Sequence, residues 1–491
     1  MSDINIHTMA HRLILALCIG ATLTCAGEKP LILTYTFTPE FTVSGPSLHI
    51  VLTFQGSETG NSKLILPTTW AGQSDLFNAI HNLKSEDSKT VITSTDSDGV
   101  RILQYSPKST IKISYDLMND WTGTLHHPKE FRVAVQSTHM IFNGQNGLIH
   151  PAIGQTDEVK TVFRWHKLPQ NWIVASSFGT GRGGQHFMGE WRMVYDAVFS
   201  AGDFRLTQVE SNGERLTLAA HGSWIFSDRQ AANEILSIFR VERQFWHEIK
   251  PNRFLVILTP YDQDLGSSDG TVFTNAFLLY LSRKQSFLTD EKSLLAHEVF
   301  HTWNPYRMGR INGEATEWFT EGFTQYYQDR ILLRAGLLSY PEYIDRLNQI
   351  VAAYWSSPDR NWSQKQWLER KSTGRPEYEL PYKRGAMIAL WLDQNIRKNS
   401  SNKSSLDNRM FALLVSPEKA LSTDVLIASL TKDLPLEDAA SLRSFVENGA
   451  TIPLPTELDL NCGFLVFENG GKPHYKPSDG CPGQMNAQTG N

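Results

Sequence analysis

HEVFH at residues 297–301 is the stretch from which the fold can be worked out, and WFTEGF follows it at residues 318–323. A helix places residues four positions apart on one face, so His297 and His301 can direct both imidazoles at a single metal ion. Two histidines and the carboxylate of Glu321 make a three-ligand zinc site whose fourth position stays open for water. The spacing therefore predicts one Zn²⁺ per chain.

Glu298 is the residue in this stretch that suggests a catalytic role. It lies about 100° around the helix from His297, where it is poorly placed to be a ligand but well placed to take a proton from water at the metal. Zinc lowers the pKa of its bound water from about 15.7 to about 7. The pattern is therefore typical of a site that hydrolyses amide bonds.

The alternative interpretation of this stretch is two surface histidines on a helix that binds no metal. The flanking sequence favours the metal site, because apolar residues and N-cap candidates indicate a helix around the motif. A second predicted helix, from about Thr316 to Leu333, would carry Glu321 back toward the first. The apolar flank is Leu294, Leu295 and Phe300, and the N-cap candidates are Thr289 and Asp290.

Residues 1–26 have the character of a signal peptide. Arg12 precedes the apolar run 13–21, and the small residues around Cys25 resemble a signal-peptidase site. The run is too short for a permanent membrane helix. We therefore expect an exported protein, periplasmic or secreted, without a stable membrane span; lipid attachment at Cys25 is the alternative.

Composition bears on the partners, the number of domains and the disulfides of the protein. The net charge of −5 gives no sign of a nucleic-acid partner. The hydrophobic content of 41% and the chain length fit two to four domains with filled cores. Two of the four cysteines lie in residues 1–26, and the others, Cys462 and Cys481, are expected to form a disulfide or, alternatively, a two-thiolate metal site.

Residues 27–226 alternate between apolar and polar positions in several runs. A period of two, with turn residues between the runs, predicts an N-terminal β-sandwich-like domain in which each sheet has one solvent-exposed face. The segment GTGRGG at residues 179–184 satisfies a dinucleotide-binding pattern. A strand is expected at residues 191–195 where that pattern requires a helix, so a glycine-rich hairpin or loop is the interpretation we adopt. The alternating apolar residues include Leu33, Tyr35 and Phe37, then Leu48, Ile50, Leu52 and Phe54, then Ile111, Ile113 and Tyr115.

Residues 227–455 are expected to be the catalytic domain, and residues 456–491 a short tail. A small sheet packed on helices is predicted, which makes the fold class α+β and multidomain. The boundary is placed near Ser227–Asp228, with Asp228 as a possible N-cap. The expected elements are a helix to about Glu248, strands at 254–258 and 277–281, a turn at Asp269–Gly270, a helix over 385–396 and further helices to about Asn448.

Several segments carry a family resemblance. They are residues 297–301 with Trp303 and Asn304, residues 318–323 with Tyr326 and Tyr327, Phe142-Asn143-Gly144, Tyr382-Lys383-Arg384-Gly385-Ala386, Ser405-Leu406-Asp407, residues 446–449 and residues 453–455. In these segments, and over roughly residues 30–455, the chain resembles the glycyl aminopeptidase family of zinc metallopeptidases. That family belongs to the gluzincin group, so the resemblance implies a thermolysin-like catalytic domain.

The resemblance also implies roles for particular residues. Zinc would be held by His297, His301 and Glu321, while Glu298 would act first as general base and then as the acid that protonates the leaving amine. Tyr382 would hydrogen-bond the tetrahedral oxyanion. From its position one helical turn before Glu321, and not from the resemblance, Glu317 is expected either to orient a ligand histidine or to face solvent. Glu314 is expected at the surface.

The chain departs from the family pattern at two places. Relatives often carry an acid before the zinc helix that holds the substrate's free amine, but here Val272 stands where the glutamate is expected, and Asp269 is the possible substitute. Many relatives also end in a PDZ domain, for which residues 456–491 are too few. The expected activity is removal of small N-terminal residues, Gly or Ala, from a peptide substrate. The alternatives are an endopeptidase or a peptidase for blocked peptides, and an inactive peptide-binding protein.

Overall fold

The computed structural model describes residues 30–478 apart from 126–127, 249–252, 262–267, 284–291, 312, 372–378, 419, 459–462 and 468–471. The predicted signal peptide, the N-cap candidates Thr289 and Asp290, and the cysteine pair Cys462 and Cys481 lie outside the described residues. The export and disulfide predictions therefore stay predictions. None of the helices in the described part of the chain is long and apolar enough to cross a bilayer.

The N-terminal part consists of strands with two single helical turns between them. The predicted alternation is confirmed, because Leu33, Tyr35 and Phe37 are all buried while their neighbours are only partly covered. The strands are β1 (Leu31–Thr42), β2 (Gly45–Gln55), β3 (Asn61–Ile65), β4 (Ile80–Ser85), β5 (Val91–Ser94), β6 (Val100–Gln104), β7 (Thr110–Leu117), β8 (Ala134–Val135), β9 (His139–Asn143), β10 (His150–Pro151), β11 (Glu158–Trp165), β12 (Ile173–Ser176), β13 (Gly179–Gly181), β14 (Gln185–Glu190) and β15 (Val198–Gly202). The helical turns are α1 (Gly144–Gly147) and α2 (Arg192–Tyr195).

These strands form three sheets. Their strand orders are β14-β11-β1-β2-β7-β4, β10-β3-β6-β5 and β13-β12-β15-β9-β8. The glycine-rich segment supplies β13, the second strand of a hairpin with β12, and then leads into β14, so the prediction of a hairpin or loop is confirmed. The strand predicted at residues 191–195 is wrong, because this segment contains the turn α2. Trp191 and Val194 are both fully buried, which is the i, i+3 spacing of a helical turn rather than the alternation of a strand.

A five-stranded mixed sheet links the N-terminal strands to the helices. It comprises β16 (Arg205–Ser211), β17 (Glu214–Ala220), β18 (Arg253–Tyr261), β19 (Ser268–Phe273) and β20 (Ala276–Ser282) in the order β16-β17-β18-β20-β19. Because β17 pairs with β18, the boundary expected near residue 227 falls within this sheet. A division near residue 204 would leave every sheet whole.

The turn predicted at Asp269–Gly270 is wrong, because both residues lie within the edge strand β19. The chain reverses instead at Thr274 and Asn275, where Asn275 adopts a left-handed φ of 52°. Asparagine tolerates this conformation better than most residues. Gly270 is required for close packing, since a Cβ there would lie 2.4 Å from the Phe277 ring.

The C-terminal part is helical. Helix α3 is capped by Ser227, whose Oγ accepts a hydrogen bond from the Gln230 amide at 3.2 Å, so Asp228 is the first helical residue rather than the cap. The helices are α3 (Asp228–Phe245), α4 (Lys292–Phe300), α5 (Glu317–Arg334), α6 (Tyr340–Ser356), α7 (Gln364–Lys371), α8 (Leu380–Asn399), α9 (Leu406–Val415), α10 (Thr423–Leu430) and α11 (Leu436–Glu447). Short 3-10 turns occur at Leu76–Ala79, Lys129–Phe131 and Gly313–Thr316.

Two small sheets complete the described chain. Strands β21 (Arg310–Ile311) and β22 (Ala420–Leu421) pair in parallel, and β23 (Glu457–Leu458), β24 (Gly463–Phe467) and β25 (Pro473–Pro477) form the tail sheet. One apolar cluster fills the N-terminal sheets and a second fills the helical part. A third cluster, which includes Ile141, Ile257 and Leu278, lies between the N-terminal strands and the mixed sheet.

Candidate metal and catalytic site

The predicted ligands lie together between α4 and α5. Their donor atoms fall within 4.8 Å of one another, and no other such group occurs in the described part of the chain. Glu321 Oε2 lies 3.2 Å from Nε2 of His297 and 3.3 Å from Nε2 of His301. Two imidazole nitrogens and a carboxylate oxygen therefore converge on one point, as a three-ligand zinc site requires.

The other nitrogen of each imidazole is held by an oxygen acceptor. His297 Nδ1 lies 3.1 Å from the amide oxygen of Gln328, and His301 Nδ1 lies 2.9 Å from the backbone carbonyl of Asn304. An oxygen acceptor places the proton on Nδ1 and leaves the Nε2 lone pair free for a metal. Asn304 is in turn fixed, since its Nδ2 donates to Thr324 Oγ1 at 3.2 Å. The donor set thus fits a bound zinc ion.

The sequence analysis names Asn304 only as part of the family resemblance and does not identify Gln328, and it gives neither residue an orienting role. The i, i+7 offset of Gln328 from Glu321 places both on the same face of α5, and that offset is the one signal that could have pointed to it. Glu317, for which an orienting role was one expectation, has its Oε1 paired with Lys371.

Tyr382 reaches the site because α5 and α8 cross at two glycines. A Cβ on Gly322 would lie 2.3 Å from Cα of Gly385, and a Cβ on Gly385 would lie 2.0 Å from the Trp318 carbonyl oxygen. The backbones therefore touch at the crossing, one turn from Tyr382. Helix α8 begins at Leu380, five residues earlier than predicted, and so includes the tyrosine.

The phenol of Tyr382 lies beside the candidate ligands. Its ring stacks on the His297 ring with a centroid distance of 5.9 Å and an interplanar angle of 16°. Burial, with the carboxylates of Glu321 and Glu298 adding to it, raises the pKa of Tyr382. The hydroxyl therefore keeps its proton and can donate a hydrogen bond.

Glu298 faces the edge strand β19. A Cβ on Gly270 would lie 3.3 Å from Cγ of Glu298, so the glycine lets the strand approach this side chain. Burial raises the pKa of Glu298 to about 8; His301 opposes the shift, and Glu321 and Asp269 add to it. A carboxyl group with a pKa near neutrality can both accept and donate a proton at working pH.

A cavity of about 600 Å³ opens beside these groups. Its walls come from β19, α4, α5, α6 and the start of α8. The lining includes Glu298 and Tyr382, and Asp269 lies on the β19 wall. Val272, further along β19, packs against the apolar cluster of the helical part and brings no charge. The five predicted site residues thus share one neighbourhood with space for a small substrate.

Residues 290–404, which contain all five of these residues, match the family model described as M61 glycyl aminopeptidase. This segment of the chain resembles that family. Among solved structures, the chain is similar to the aminopeptidase N family protein of Idiomarina loihiensis, with a TM-score of 0.70 and 18% identity over 86% of this chain and 77% of that one. It is also similar to the M1 zinc metallopeptidase of Deinococcus radiodurans, with a TM-score of 0.51 and 16% identity over 87% of this chain and 95% of that one. No curated protein matches the chain.

These likenesses confirm the predicted fold class, an α+β multidomain chain with a sheet-rich N-terminal part and a helical C-terminal part. The resemblance to the glycyl aminopeptidase family that the sequence predicts is confirmed over residues 290–404.

Proposed function

We propose that the chain is an exported zinc peptidase that removes small N-terminal residues such as Gly or Ala from peptides. In this proposal His297, His301 and Glu321 hold one zinc ion, and Glu298 and Tyr382 carry out the chemistry. The observation that carries it is the convergence of the three donor atoms beside a cavity lined by both of those residues. The export part rests on residues 1–26 alone, and a mature N-terminus at Gly27 would support it.

Each residue has a definite task in this reaction. Zinc, when bound, supplies a Lewis acid for the peptide carbonyl and acidifies water at neutral pH. Glu298 would take a proton from the attacking water and later deliver it to the leaving amine. Tyr382 donates its hydroxyl proton in a hydrogen bond to the carbonyl oxygen as that atom gains charge, which contributes about 3 kcal/mol. An inactive peptide-binding protein would have no need of Glu298.

Glu298→Gln tests the mechanism, because it keeps the shape of the side chain and removes its ability to accept a proton. We expect hydrolysis of alanine p-nitroanilide to fall by about 10²–10⁴-fold while zinc content is unchanged. Glu447→Gln, the same chemical change at a surface ion pair with Arg443, is the matched control and should retain activity. Full activity in zinc-loaded Glu298→Gln would show that the mechanism is wrong.

A second candidate, an endopeptidase, is favoured by the uncharged Val272 on β19. An ammonium group in a cleft needs a countercharge, and Asp269 on the β19 wall is the candidate for it. We expect chelator-sensitive cleavage of alanine p-nitroanilide, no cleavage of its N-acetylated form, and a raised KM for the free amine in Asp269→Asn. Equal or faster cleavage of the acetylated substrate would establish the endopeptidase instead.

A further inference from the structure

One wall of the cavity is formed by a single face of α6. Its lining residues Arg346, Gln349, Ile350 and Ala353 follow the i, i+3, i+4, i+7 spacing of one helix face. Arg346 is the cation on this face. Its side chain is 28% exposed, although it sits among packed helices.

The guanidinium of Arg346 is only partly used by the protein. Its Nη1 donates to Ser293 Oγ and, at 3.4 Å, to Asp329 Oδ1. Within the described chain, Nε and Nη2 have no hydrogen-bond partner. A guanidinium binds a carboxylate through two parallel N–H groups, so the unused edge of Arg346 is suited to a carboxylate in the cavity.

The rest of the cavity lining combines acidic and neutral polar side chains, and its carboxyl groups are those of Asp269, Glu298, Asp329 and Glu379. Gln325, Gln328 and Gln349 line it with neutral amides. The other lining cation, Lys383, is paired with Glu379 at the start of α8. Of these two lining cations, Arg346 is the one whose planar guanidinium offers two parallel N–H groups to a carboxylate.

The side of the substrate that would meet Arg346 follows from the chemistry. The group that protonates the leaving amine must lie beside the residue that follows the broken bond. Glu298 and Leu294, on consecutive turns of α4, line the same cavity as the α6 face. The space beside Glu298 that can take the residue released on the amine side is therefore bordered by Arg346.

We propose that Arg346 is a specificity-determining residue that binds a carboxylate on the leaving side of the substrate. This rests on the proposed peptidase function. The carboxylate comes either from the free C-terminus of a short peptide or from an acidic side chain that follows the broken bond. In the first case the enzyme acts on short peptides.

The test compares three substrates of the zinc-loaded enzyme: Ala-Ala, Ala-Ala amide and Ala-Asp amide. We expect the wild-type kcat/KM for Ala-Ala to exceed that for Ala-Ala amide at least about tenfold, mainly through KM, since an ion-paired hydrogen bond has that size. In Arg346→Gln the ratio should approach one, and Arg346→Lys should retain part of it. A preference for Ala-Asp amide over Ala-Ala amide would identify the side chain as the source. Equal values for all three substrates in the wild type would overturn the proposal.

Removing Arg346 leaves Asp329, whose side chain is 6% exposed, without its cation. The double variant Arg346→Gln/Asp329→Asn therefore repeats the test with both charges of this pair removed. A general disturbance of the site would slow hydrolysis of Ala-Ala and of its amide equally, and an unchanged ratio of the two kcat/KM values would overturn the proposal. Loss of that ratio in Lys383→Gln but not in Arg346→Gln would also overturn it.

Binding separates this proposal from the peptidase function itself. Calorimetry on zinc-loaded Glu298→Gln should show tighter binding of Ala-Ala than of Ala-Ala amide, and the difference should vanish when Arg346→Gln is added. This result can be obtained even if no substrate is hydrolysed. If the wild type hydrolyses all three substrates without preferring those that carry a carboxylate, the Arg346 proposal is overturned and the peptidase function stays intact.

Discussion

Glu242 is a buried carboxyl group that the chemistry does not use. It lies in α3, its exposed fraction is 0%, and neither carboxyl oxygen has a hydrogen-bond partner among the described residues. Burial raises its pKa well above the usual range. The folded chain therefore keeps this proton at pH values where the unfolded chain has lost it, and stability must fall as pH rises above about 4.3.

Glu242→Gln should accordingly be more stable than the wild type at neutral pH, and Glu242→Leu more stable still. A buried, unsatisfied polar group costs about 1–3 kcal/mol. Denaturant unfolding between pH 5 and 8 should show a gap between Glu242→Gln and wild type that widens with pH, and no such gap for the surface control Glu447→Gln. A gap of constant size would mean that Glu242 is not the group that titrates.

Among single residues, sequence reasoning succeeded where chemistry is local. The i, i+4 spacing of His297 and His301 is fixed by the helix itself, so it predicts a shared ligand point before any tertiary contact is known. Gln328 and the Asn304 carbonyl orient those rings through contacts that depend on how α4 meets α5. Nothing in residue type or spacing near the histidines specifies such contacts.

The crossing of α5 and α8 is the element that places Tyr382 beside Glu321. Gly385→Ala should improve the intrinsic helix propensity of α8 by about 1 kcal/mol. We nevertheless expect a lower melting temperature and a kcat/KM reduced at least about tenfold, because the added Cβ meets the Trp318 carbonyl at 2.0 Å and must push the helices apart.

Gly183→Ala is the matched control for this change. Nothing lies within 4 Å of a Cβ at that position, so both melting temperature and activity should stay close to wild type. A Gly385→Ala enzyme with unchanged kinetics would show that Tyr382 does not depend on the close crossing.

At the level of elements, the errors have a common physical cause. Trp191–Tyr195 contains apolar residues that suit a strand, but burial of Trp191 and Val194 on one side makes it a turn. Asp269–Gly270 has the composition of a turn, yet it continues an edge strand because Gly270 packs under Phe277. In both cases tertiary packing overrides local preference.

For the whole molecule, alternation and helical spacing predicted which kinds of layers occur but not which strands share a sheet. Strand partners depend on non-local pairing, and β16 and β17 give no sequence sign that they join β18 rather than the preceding sheets. The apolar cluster that includes Ile141, Ile257 and Leu278 likewise joins segments distant in sequence. Such contacts are decided by the assembled chain and leave no periodic signature in any one segment.

The pairing of β17 with β18 limits where the chain can be truncated to obtain a folded fragment. A fragment that begins at residue 227 would lack β16 and β17 and would leave the hydrogen-bonding edge of β18 open. Because Phe254, Val256 and Leu258 are buried on that strand, the exposed edge would be both apolar and unpaired, which is the condition under which strands of different molecules associate. Such a fragment should aggregate, whereas one that begins near residue 204 would retain a complete sheet.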